Sequence, residues 1–313
     1  MVVVAEVVRN SVVESRHHGS VIALDPHGDV VLSLGDPHAP MLPRSALKPL
    51  QAAGMVRAGL DVDDDLLALV CASHSGEAGH VAGVRRLLAT AGLDEAALDN
   101  TPDLPLDPQA RDDAIRAGHG PARITQNCSG KHAGMLASCV ANGWPTDGYL
   151  APEHALQRAL REAVEDLTGE PVAATVVDGC GAPQFAVSLT GLARAFARLA
   201  VASPETAEGR CAHAMRDHPH LVGGSGRDVT ALLAGVPGLV AKEGAEGVYV
   251  AATSDGAAVA VKIEDGAGRA RLPVLVAALR QLGVAAPTLD DLAVVPVLGH
   301  GERVGEVRAV GMA

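Results

Sequence analysis

The chain has 313 residues and a net charge of −12, with 48% hydrophobic but only 2% aromatic residues. This length supports one large or two moderate domains with a sizeable core. The acidic balance leaves no basic face for nucleic acid, and no window is apolar and long enough to span a bilayer. A cytoplasmic enzyme acting on a small molecule is the expected class, with a core of Ala, Val and Leu. The five cysteines, Cys71, Cys128, Cys139, Cys180 and Cys211, are odd in number and not tightly spaced, so reduced thiols or a metal site are expected rather than disulfides.

In chain order, residues 2–8 alternate and read as a strand, and 20–25 and 30–34 form a hairpin through Pro26-His27-Gly28-Asp29. From Pro43 helical spacing takes over, at 47–59, 64–71, 77–92, 94–98, 107–117, 129–142, 152–168 and 188–202. Strands return at 247–253 and 257–263 around Ser254-Asp255-Gly256, then a helix at 272–283 and a strand near 303–310. The expected fold class is α+β, with one antiparallel sheet built from both chain ends and a helical region inserted between. Residues 1–60 and 221–313 would supply the sheet part and 61–220 the helical part, forming one catalytic unit with its site in the crevice.

Arg44-Ser45-Ala46-Leu47-Lys48-Pro49 holds the first candidate chemistry. Positions i and i+3 share a helix face, so Ser45 Oγ and Lys48 Nζ can meet. A serine is a weak nucleophile until a base takes its proton, and lysine serves as that base when its pKa falls. Pro49 lacks an N–H and fits the first turn, which puts Ser45 at a helix start where free N–H groups suit an oxyanion. The plainer alternative is a capping serine and a solvated lysine.

Four further stretches qualify. In Cys71-Ala72-Ser73-His74-Ser75-Gly76-Glu77, Ser73 and Ser75 would share a face of an extended segment, and one of them is a candidate proton relay; otherwise they cap the next helix. Asn127-Cys128-Ser129-Gly130-Lys131-His132 and Asp178-Gly179-Cys180 bring two thiols near an amine, an imidazole and a carboxylate. Thiolate and imidazole are preferred zinc ligands, although small buried thiols filling the core give the same letters. Lys242-Glu243-Gly244, ahead of the strand at 248, resembles the K-T-G element that accompanies S-x-x-K in penicillin-interacting enzymes. Its lysine would tune Lys48.

Together with Val13 through Ser20, Ala133 through Leu136 and Gly224-Ser225-Gly226-Arg227, these stretches resemble the thermolabile, Rhizobium-type L-asparaginase II family, or class 3 asparaginases, almost end to end. The resemblance implies hydrolysis of L-asparagine to L-aspartate and ammonia on a fold similar to serine β-lactamases, penicillin-binding proteins and serine glutaminases. It implies two Ser-Lys pairs, Ser45 with Lys48 and a serine of the 73–75 stretch with Lys242. It also implies a zinc ion at Cys128, Lys131 and Cys180, and a homodimer. Arg44, His132 and Asp178 are candidates for holding the substrate's α-carboxylate and α-amine. A glutaminase or other small-amide amidohydrolase, a β-lactam-interacting serine enzyme and a non-catalytic amino-acid or metal-binding protein are the alternatives.

Overall fold

The computed structural model describes residues 2–312. The chain opens with strands β1 (Val2–Arg9), β2 (Val12–Leu24), β3 (Val30–Leu34) and the short β4 (Pro40–Met41). A 3₁₀ turn over Arg44–Leu47 leads into α1 (Lys48–Arg57), followed by α2 (Asp64–Cys71), α3 (Ala78–Thr90), α4 (Pro108–Arg116), α5 (Ser129–Ala141) and α6 (Ala155–Thr168). The hairpin β5 (Ala174–Val177) and β6 (Pro183–Ser188) precedes α7 (Leu189–Val201), α8 (Ala207–Asp217), α9 (Pro219–Val222) and α10 (Asp228–Gly235). The chain closes with β7 (Val240–Gly244), β8 (Val248–Ala252), β9 (Ala258–Ile263), α11 (Gly268–Gln281), α12 (Pro287–Leu292), β10 (Val295–Gly299) and β11 (Glu302–Ala309).

The large sheet runs β10-β11-β1-β2-β9-β8-β7, with β3 also on β2, so strands from both chain ends interleave in one antiparallel sheet as expected. β8 and β9 are buried almost throughout, the pattern of strands covered on both faces. α7 and α11 pack on them. α1, on the sheet side of the expected division at residue 60, packs on α2, α5, α6 and α8 instead. One hydrophobic cluster joins the sheet to these helices.

Several elements differ from expectation for local reasons. β2 begins at Val12, not residue 20, because Glu14, Arg16 and His18 put polar side chains on its exposed face, and Asn10 and Ser11 at positive φ make the tight turn from β1. Residues 94–98 form only a 3₁₀ turn, Glu95–Ala97, capped by Asp94 Oδ1 on Ala96 N–H. Lys242 lies inside β7, opposite Val250, rather than in a turn before β8. The apolar cue for that strand is diluted by Lys242 and Glu243, both buried.

Gly244 ends β7 where the strand meets the turn carrying Ser45. A Cβ there would lie 2.3 Å from Pro43 O, so only glycine allows this approach. Gly244→Ala should therefore cost about 1–3 kcal/mol by overpacking and lower activity by displacing the turn. Gly79→Ala, with open space around an exposed helical position, should instead stabilise by about 0.5–1 kcal/mol. Thermal melts of the two variants check the contrast.

Candidate active site

Two buried lysines converge on one serine. Lys48 Nζ donates to Ala72 O at 2.7 Å, Ser73 Oγ at 3.1 Å and Asn127 O at 3.3 Å. Lys242 Nζ reaches the same Ser73 Oγ at 2.9 Å and Glu243 O at 3.1 Å. Ser73 sits there because α2 stops at Cys71: Ala72 turns to extended backbone with its carbonyl left free, and Ser73 N–H is held by Val222 O. The free carbonyl at the helix end suits a cation.

Lys48 thus uses its three donors on Ala72, Ser73 and Asn127, and Ser45 Oγ is not among them. The expected direct Ser45–Lys48 contact is absent, since Nζ is drawn inward by two carbonyls. Ser45 is half-buried on the 3₁₀ turn one step before α1, with Pro49 in the first turn of that helix. Arg44, just before it, holds a left-handed backbone with φ of 55°, a conformation costing a non-glycine residue about 1–3 kcal/mol that gathers at functional sites. Ser75 does not share the role of Ser73: its Oγ donates to Gly223 O at 2.8 Å. His74 between them is fully buried, accepting from Gly76 N–H and pairing with Ser129 Oγ at 2.8 Å.

Burial pushes Lys242 down to about 8, the cations Lys48 and Arg227 adding to that and Glu243 opposing it. The hydrogen bonds agree with a neutral Lys242. A hydroxyl accepting from two ammonium groups leaves its own O–H without a partner, whereas a neutral amine can accept that proton.

The thiols lie beside this centre. Lys131 Nζ donates to Cys180 Sγ at 3.2 Å, Cys180 Sγ lies 3.6 Å from Asp178 Oδ2, and Cys128 Sγ lies 3.0 Å from the Asn127 amide oxygen. Cys180 is in the turn joining β5 to β6, and Cys128 caps α5, where the helix dipole favours an anion. A hydrogen bond from Cys180, with Lys48 and Lys131 nearby, holds the Cys128 thiol well below its usual range, while Cys180 is pushed up. Burial alone would discharge Lys131, yet Cys180, Cys128 and Asp178 beside it push it up and keep it charged.

Among the described residues no three His, Cys, Asp or Glu side chains are disposed to hold a metal; the expected ligand set has two thiols and an amine. The two thiols, one of them readily ionised, are a donor pair that zinc prefers, whereas Lys131, held here as an ammonium, could join them only by giving up its proton.

Arg44 Nε and Asp178 Oδ1 pair at 2.7 Å, so two expected substrate groups arrive as an adjacent cation and anion. His132 is fully buried, with Nδ1 2.7 Å from Tyr149 OH and Nε2 without a partner among the described residues. Three residues at the site carried no expected role. Arg227 donates to Ser73 O and Ser75 Oγ, both at 3.3 Å, and to Glu243 Oε1 at 2.8 Å. Tyr149 supports His132. An arginine after Gly-Ser-Gly and an acid beside a buried lysine were visible in the chain, but only spatial proximity gives them a function.

The L-asparaginase II family profile matches residues 5–309. No curated protein sequence matches the chain. Among solved structures, a β-lactamase from Mycobacterium bovis is similar at 18% identity over 80% of this chain and 88% of that one, with a TM-score of 0.46. With a profile match over nearly its whole length, and two lysines closing on a serine at its centre, the chain belongs to the L-asparaginase II family, hydrolases acting on amides.

Proposed function

We propose that the protein hydrolyses L-asparagine to L-aspartate and ammonia with Ser45 as nucleophile. The observation that carries this reading is Ser73 Oγ shared between Lys48 Nζ and Lys242 Nζ, Lys48 itself following the more accessible Ser45 by three residues. Neutral Lys242 accepts the Ser73 proton, Ser73 takes one from Lys48, and Lys48, which does not touch Ser45 Oγ in this structure, turns to it as its base. Ser45 Oγ bonds to the side-chain amide carbon, the C–N bond breaks, and the departing nitrogen takes a proton returned by Lys48 to leave as ammonia. Water attacks the ester, giving aspartate and restoring Ser45.

The N–H of Ser45, at the start of its turn, supports the oxyanion, a contribution of about 3–4 kcal/mol per donor. Arg44 and Asp178 offer neighbouring opposite charges that match the α-carboxylate and α-ammonium of an amino acid. His132, whose Nε2 has no partner among the described residues, is near enough to Lys131 and Lys48 to feel their charge. Cys128, Lys131 and Cys180 would hold a zinc ion, which would neutralise the thiolates and fix the Asp178 loop. The reading includes a homodimer, as the family resemblance implies, and the cytoplasmic location expected from the sequence; no described helix is long and apolar enough to cross a membrane.

A second reading makes Ser73 the nucleophile, because it is the serine bonded to Lys242. The variants separate the two. Ser45→Ala should abolish ammonia release from asparagine while the protein stays folded, whereas Ser73→Ala should slow turnover yet still give a Ser45 ester by mass spectrometry of quenched enzyme. An ester on residue 73 in Ser45→Ala would reverse the assignment. Faster kcat/KM on glutamine, turnover of nitrocefin, or asparagine binding without hydrolysis would favour the glutaminase, β-lactam or binding alternatives.

Because Lys242 must be neutral to accept a proton, kcat/KM should fall as pH drops through about 8 and level off above it. Elemental analysis checks the metal: wild-type protein should carry zinc, and Cys128→Ser and Cys180→Ser should each lose most of it.

A further inference from the structure

Lys242 and Glu243 are consecutive in β7, and neighbouring side chains on a strand leave opposite faces. They nevertheless meet: Glu243 Oε2 lies 3.1 Å from Lys242 Nζ, with both side chains buried. β7 is the edge strand of the large sheet, and among the described residues no further strand pairs with its outer side, so the two side chains can meet around that edge. The other carboxylate oxygen accepts from Arg227 Nη2, while Arg227 Nη1 donates to Ser73 O and Ser75 Oγ. Arg227 therefore ties the loop bearing Ser73 to the strand bearing Lys242. Neither residue has any other work in the proposed reaction.

We propose that Glu243 and Arg227 are positioning residues for hydrolysis: the pair clamps the Ser73 loop to β7 and sets the balance of charge at Lys242 Nζ. The proposal rests on the reading of Lys242 as final proton acceptor. The charges facing Nζ are Lys48 from α1, Glu243 from β7 itself and Arg227 from the segment ahead of α10, with Ser73 between the two lysines. Behind Glu243, Arg271 from α11 donates to Gly244 O at 2.9 Å, lies 3.5 Å from Asp228 Oδ2 and stacks over the Tyr249 ring. One anion thus stands against two cations at Nζ. Removing the anion makes the proton easier to lose; removing Arg227 makes it harder.

An ion pair that only stabilises the fold would not produce opposite changes in pH dependence. The test measures kcat/KM for asparagine against pH in wild type, Lys242→Met, Glu243→Gln, Arg227→Gln and Arg227→Lys, with melting curves to confirm folding. Glu243→Gln should shift the acidic limb to lower pH by about one unit, and Arg227→Gln should shift it higher by about as much. Arg227→Lys, which keeps the charge, should return the limb toward wild type. Limbs that stay in place, or move the same way in both variants, overturn the proposal. Should Glu243→Gln fail to fold, the Arg227→Gln and Arg227→Lys comparison decides alone, an unmoved limb in Arg227→Gln counting against it. If the limb persists in Lys242→Met, the role of Lys242 itself is wrong, and the inference falls with it; a limb that depends on Lys242 but ignores Glu243 and Arg227 defeats the inference alone.

Discussion

The site depends on two ammonium groups that cannot both keep their charge around one serine oxygen. Lys48 and Lys242 each lie within 3.1 Å of Ser73 Oγ and are buried from water. Through that shared oxygen the two nitrogens can be at most about 6 Å apart, where at an effective dielectric of about 20 the repulsion is already on the order of 3 kcal/mol, before either desolvation cost is counted. Lys48 has two backbone carbonyls among its acceptors, which suit a charged donor. Lys242 is the one that yields, and a neutral amine in contact with a hydroxyl is a base ready for use.

The neighbouring thiols obey the same electrostatics with the opposite outcome. Lys131 is as buried as Lys242, yet its surroundings are Cys128, Cys180 and Asp178 rather than two cations. Burial alone would discharge both lysines. The sign of the nearest charges decides that one stays an ammonium while the other falls toward neutrality. Two chemically identical side chains are drawn toward opposite protonation states by the different charges packed beside them.

The scaffold delivers these groups from parts of the chain that are far apart. α1 brings Lys48, the end of α2 brings Ser73, the start of α5 brings Cys128 and Lys131, the β5–β6 turn brings Asp178 and Cys180, and the edge strand β7 brings Lys242. Gly244 lets that edge approach the Ser45 turn. The left-handed backbone at Arg44 turns its side chain onto Asp178 just before the serine. A relay of this kind needs rigid placement to within fractions of an ångström, which the buried sheet and helices supply.

The sequence by itself determined the residue inventory and the α+β order of elements. Strong periodicity exposed β1, the β8–β9 hairpin and most central helices, and the spacing of Ser45 from Lys48 marked the turn before α1, because those signals are local. Weakly patterned elements such as β7 escaped, since a strand whose polar residues are buried by tertiary partners carries no apolar alternation to read. Tertiary structure alone decided that Ser73 and not Ser75 faces the lysines, that Lys48 bonds Ser73 rather than Ser45, and that Arg227 and Glu243 belong to the site. These are choices among contacts between segments as much as 169 residues apart, fixed by which carbonyls and charges the packed chain leaves within reach. No spacing along the chain encodes that.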